Sequence, residues 1–136
     1  MTGREARIVA ALTEAAVAPA DPLPPVGRTD AVSAFGRYLS ASPVPNRWGL
    51  RVLLQGLDQG SRALGFGAPL RRLGAADREA YLTRLADTRL APVIDSLRGL
   101  VQLSYYGDEA VMRLLGYDWA GRVARGRALR EREGRW

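Results

Sequence analysis

All eight prolines lie at the edges of segments whose apolar residues recur at helical spacing, and this most restricts what the chain can fold into. Pro19, Pro22, Pro24 and Pro25 close the first such segment. Pro43 and Pro45 separate the next two, Pro69 lies in a loop, and Pro92 sits in the first turn of a later helix, where a missing N–H does no harm. No segment reads as a strand. The expected fold is therefore all-α: a compact bundle of about five to six short helices with an extended Pro-rich linker and a basic C-terminal tail.

The first helix is placed at residues 3–17, where Thr2-Gly3-Arg4-Glu5 has capping-box spacing and Ile8, Val9, Leu12 and Ala16 recur behind it. The PADPLPP stretch then reads as a stiff extended linker, because proline fixes φ and restricts the residue before it. A second helix from Asp30 to Ser40 buries Val32, Phe35 and Leu39. Asn46 is the expected cap of a third, over 47–64, with Leu50, Leu53, Leu54, Leu57 and Leu64 on one face. Arg51, Gln55, Asp58 and Arg62 read as its polar side, and Gly56 and Gly60 leave room for the close approach of another helix. The fourth helix, near 75–87, buries Tyr81, Leu82 and Leu85. The fifth carries Leu90, Val93, Ile94, Leu97, Leu100, Val101 and Ser104, the cleanest period in the chain. Asp108 then caps a short helix holding Val111, Met112, Leu114 and Leu115, which Gly116 ends. The organisation is an N-terminal helix (1–18), a Pro-rich linker (19–29), a helical domain (30–118) and a basic tail (119–136), together one domain.

Missing residue types exclude much chemistry. The chain contains neither His nor Cys, so a thiolate nucleophile, a disulfide, a classical zinc site and a Ser-His-Asp triad are all excluded. The glycines of Leu64-Gly65-Phe66-Gly67-Ala68-Pro69-Leu70 do not make a dinucleotide fingerprint, because Leu70 replaces the last glycine and a helix precedes the loop. Asp77 with Glu79, and Asp108 with Glu109, fall at helix starts, where acids favour the dipole, and are not read as paired catalytic carboxylates. No catalytic, cofactor-binding or metal-binding residue is assigned.

All 20 basic residues are arginine, and the formal net charge is +6. Residues 122–136 hold six arginines against two acids, so the body is nearly balanced and the tail is basic. A nucleic-acid binder more often spreads its charge over a folded face, and no nucleic acid is expected as a partner. No run approaches the ~20 apolar residues of a membrane-spanning helix. Glu5 and Glu14 interrupt the early apolar stretch, unlike a secretory signal, and the expected location is cytoplasmic.

The aromatic residues are the other conspicuous feature. Tyr105 and Tyr106 are adjacent, so on a helix only one of them can face the core. The outward ring, with Tyr117, suits an interface with another protein. Trp48 and Trp119 lie in or beside breaks, and Trp136 stands at the C-terminus, to be either disordered or held by another protein.

The stretch from Asn46 to Asp118 resembles the small helical subunit of flavin-dependent dehydrogenases, the family named for gluconate 2-dehydrogenase subunit 3. It is also similar to the helical segment fused ahead of some glucose-methanol-choline (GMC) oxidoreductases. The residues that carry the likeness are Arg78-Glu79-Ala80-Tyr81-Leu82, Arg89, Leu97-Arg98-Gly99-Leu100, the run Tyr105-Tyr106-Gly107-Asp108-Glu109-Ala110-Val111, and Leu115-Gly116-Tyr117-Asp118. The resemblance implies a non-catalytic subunit that binds, stabilises or helps mature a larger oxidoreductase, with FAD on that partner and no cofactor on this chain. The candidate interface residues are Trp48, Arg98, Tyr105, Tyr106, Tyr117, Trp119, Arg122 and Arg125. The alternative reading is a helical regulatory or nucleic-acid-associated protein that uses its arginine-rich tail.

Overall fold

The structure, a computed structural model, describes residues 1–134, apart from the side chains at positions 119 and 120. Seven α-helices and no strand are found among them: α1 (Gly3–Val17), α2 (Ala31–Ala41), α3 (Val44–Ala63), α4 (Ala75–Ala86), α5 (Ala91–Tyr106), α6 (Glu109–Leu114) and α7 (Trp119–Glu133). Single helical turns at Val26–Arg28 and Leu70–Arg72 join α1 to α2 and α3 to α4. The all-α expectation is met, and the basic tail forms the seventh helix.

The N-terminal helix is the element that the others share. Its start is fixed as the sequence predicts: the Thr2 hydroxyl accepts the Glu5 N–H at 3.2 Å, and the Glu5 carboxylate accepts the Thr2 N–H at 2.7 Å. Ile8, Val9, Ala11, Leu12 and Thr13 are all buried. Successive residues on a helix point about 100° apart, so burial of three in a row means neighbours on several sides. Those neighbours are α2, α3, α4, α5 and the Leu70–Arg72 turn.

Asp58 departs from its expected place. The α3 periodicity puts it on the polar side, yet its side chain is 0% exposed. Its carboxylate is held by Arg4 of α1 at 3.1 Å, by Arg71 in a short ion pair, and by the amide of Gln59 at 2.9 Å. The Arg71 backbone N–H also donates to it, at 3.3 Å. A carboxylate removed from water is tolerated only when paired and hydrogen-bonded, and here the bonds from Arg4 and Arg71 tie α3 to α1 and to the Leu70–Arg72 turn. The Ser61 hydroxyl reinforces the same corner, donating to the Ala68 carbonyl at 2.7 Å.

Two further corrections concern α3. It begins at Val44, with Pro45 inside its first turn, so Asn46 is a helical residue rather than the cap. Proline needs no N–H there and comes with φ already set, which extends the helix forward. Gly60 does permit a close approach, but by a side chain: a Cβ there would lie 2.8 Å from the Tyr81 hydroxyl. That hydroxyl donates to the Leu57 carbonyl at 2.9 Å, and Phe66 packs edge-on against the Tyr81 ring.

The fourth and fifth helices follow the sequence closely, with Tyr81, Leu82 and Leu85 buried on α4 and Ile94, Leu97, Val101 and Tyr105 on α5. The segment after α1 is not the extended linker expected of it. It folds back, Val26 is buried, and Leu23 packs with Val26, Ala31, Tyr105 and Val111 in a second small core. The reason is an anchor: the Pro24 carbonyl, which needs a donor, receives the Tyr105 hydroxyl at 2.6 Å. Asp108 completes this end. Its carboxylate accepts the N–H groups of Ala110 (2.8 Å) and Val111 (3.3 Å), as expected of a cap, and also that of Asp30 at 2.7 Å.

Two stability measurements test this account. Leu97→Ala should cost about 2–5 kcal/mol by urea unfolding, whereas Leu103→Ala, on an exposed face of α5, should stay within about 0.5 kcal/mol of the parent. Asp58→Asn should cost about 3–5 kcal/mol, because it leaves the Arg71 guanidinium without its partner.

Candidate partner-binding surface

The apolar stripes of α3 and α5 are wider than the core uses. Leu90, just before α5, and Val93 on it are exposed, and Leu100 is half-buried. On α3, Leu50 and Leu53 are half-buried and Val52 is exposed. Of these, Leu50, Leu53, Val93 and Leu100 line a groove of about 590 Å³ between α2, α3 and α5, together with Tyr38. Sequence reasoning did not find this groove, although the signal was present. A stripe carrying apolar residues at 90, 93, 94, 97, 100 and 101 spans more of the helix than one core contact covers.

The candidate interface residues fall into separate groups. Trp48 is 66% exposed on α3, next to Gly49, which lines the groove. Arg98 of α5 is half-buried, 3.9 Å from Asp95, and its side chain borders a small void against Leu57, Leu82 and Ile94. Tyr105 and Tyr106 divide as helix geometry demands. Tyr105 is buried, with its hydroxyl spent on Pro24, so it offers no surface to a partner and leaves the candidate interface. Tyr106 stays exposed and stacks edge-on against it, ring centres 5.3 Å apart.

A further group forms where α6 ends and α7 begins. Of the apolar residues expected to pack from the short helix, only Val111 is buried, while Leu114 and Leu115 are exposed. Gly116 has the left-handed conformation (φ +70°) expected at the end of that helix. The Asp118 carboxylate then caps α7 through the Gly121 N–H at 2.8 Å and lies 3.9 Å from Arg125. Arg122 sits 4.8 Å above the exposed Tyr117 ring, a cation–π contact. Tyr117, Arg122 and Arg125 are thus brought together, and no α7 residue whose exposure is described is buried. The Trp119 side chain and Trp136 lie outside the described residues. Among those described, no hydrogen bond, ion pair or ring contact joins Trp48 to the Tyr106 or Tyr117 groups.

Among the described residues, no helix is long and apolar enough to cross a membrane, and no group of three or more Asp or Glu is placed to hold a metal ion. Comparison of the chain with protein-family models, with curated proteins and with solved structures finds no match.

Burial raises the pKa of both Tyr81 and Tyr105, and for Tyr105 the nearby Tyr106 and Asp108 add to the effect. A raised acid pKa in the folded state contributes stability that is complete below the unfolded value, about 10, and lost as pH rises through the folded value. Urea midpoints should therefore fall from about pH 9 to about pH 11. Tyr105→Phe should reduce that fall.

Proposed function

We propose that this chain is a non-catalytic helical subunit that binds and stabilises, or helps mature, a larger FAD-dependent oxidoreductase of the glucose-methanol-choline type, acting in the cytoplasm on alcohol or sugar-like substrates. The observation that carries the reading is the uncovered apolar groove of α2, α3 and α5, in whose wall Tyr38 and Val93 are exposed. Apolar surface left contiguous and exposed marks an interaction site, and tryptophan and tyrosine are the residues in which binding energy concentrates. The exposed Tyr106 and Tyr117, which fall within the stretch that resembles the small-subunit family, offer further aromatic contacts apart from the groove. Arg122 and Arg125 suit acidic groups on the partner, because a guanidinium pairs with carboxylate in two parallel hydrogen bonds.

Affinity capture of the tagged chain from its native host, followed by a flavin absorbance spectrum, tests the proposal. The expected outcome is a stoichiometric large protein carrying FAD, with Trp48→Ala weakening its capture by about thirtyfold, near 2 kcal/mol. Truncation after Gly121 should weaken the complex and leave the unfolding midpoint of the body unchanged. A chain that elutes alone, or that binds DNA with steep salt dependence, would overturn the reading in favour of a regulator working through the arginine-rich α7.

A further inference from the structure

The arginines around Asp58 outnumber the charge they neutralise. Arg4 and Arg71 hold the buried carboxylate. Arg62 joins the same network through Gln59, at 3.3 Å from its amide oxygen. Arg7 lies one turn along α1 from Arg4, and Arg72 follows Arg71 in the turn that packs against α1. The guanidinia of Arg4, Arg72 and Arg7 lie close enough that, after burial itself, they depress the pKa of Arg71. The nearest acids of α1 are already engaged, Glu5 with Arg51 at 3.4 Å and Glu14 with Arg78. Two guanidinia thus pair with one carboxylate, and close by Arg7 and Arg72 have their side chains in solvent. Like charges gathered this way repel, and an anion that covers them relieves that repulsion.

We infer that the face formed by Arg4, Arg7, Arg71 and Arg72 is a binding site for a small phosphorylated molecule. The charge balance favours a phosphoryl group over a single carboxylate. Phosphate carries close to two negative charges near neutral pH and presents three acceptor oxygens, which several guanidinium forks can share. Asp58 supplies the rigidity: Arg4 and Arg71 are held by it from below, so their remaining N–H groups are positioned before the ligand arrives. Arg7 and Arg72 add charge without taking part in the buried pair. The site is separate from the groove of α2, α3 and α5, and it stands or falls independently of the flavoprotein reading.

The test is thermal unfolding and calorimetric titration of the full chain with inorganic phosphate and with pyrophosphate, ionic strength being held constant with sodium chloride. The expected result is a saturable rise in melting temperature, with pyrophosphate acting at lower concentration than phosphate. The double variant Arg7→Gln/Arg72→Gln should weaken pyrophosphate binding about tenfold or more, with a ligand-free melting temperature equal to or above that of the parent, since it relieves repulsion. Arg127→Gln/Arg130→Gln on α7 should leave binding unchanged. Equal stabilisation by chloride, pyrophosphate affinity unchanged in the Arg7/Arg72 variant, or binding of a polyglutamate peptide without binding of pyrophosphate would each overturn the proposal.

Discussion

One buried carboxylate sets the terms on which the helices meet. Asp58 lies on α3, yet its ion-pair partners come from α1 and from the turn before α4, so it ties together the three pieces that join in this corner. A buried pair of this kind adds little net energy over a well-packed apolar substitute, but it strongly penalises every arrangement that leaves the charge unpaired. Its contribution is therefore one of register. With Asp58 satisfied, Arg71 and hence the whole Leu70–Arg72 turn sit against α1, and Leu70 and Leu73 enter the core on either side of it. The remaining helices then close around α1, which needs cover on several sides.

The legible and illegible parts of the fold differ in the range of the interactions that decide them. Capping at Thr2 and Asp108, the buried face of α4 and the left-handed Gly116 all depend on neighbours within a few residues. Asp58 shows the limit. A carboxylate among Arg51, Gln55 and Arg62 has the pattern of a solvated face, and nothing local reveals that guanidinia from positions 4 and 71 converge on it. The Pro-rich segment fails for the same reason: its residues favour extension, but the hydroxyl that pins it comes from Tyr105 on α5. Asn46 is a different case, where one proline inside a first turn displaced the boundary.

For the candidate surface, sequence reasoning found residue types rather than places. Helix geometry requires Tyr105 and Tyr106 to point apart without saying which is buried, and of the aromatic residues conspicuous in the sequence Trp48, Tyr106 and Tyr117 are exposed. The groove escaped notice because its lining residues look like core: Leu50, Leu53, Val93 and Leu100 share a period with the buried leucines. Which part of a broad apolar stripe remains uncovered depends on how far apart the packed helices stand.

The shared carboxylate of Asp108 has a consequence for how the molecule opens. It accepts N–H groups from the start of α6 and, in the same geometry, the N–H of Asp30 at the start of α2. Two helix termini far apart in the chain thus depend on a single side chain. Loss of that carboxylate would remove the acceptor from both places at once, so the Asp30, Ala110 and Val111 amides are expected to lose protection from exchange together.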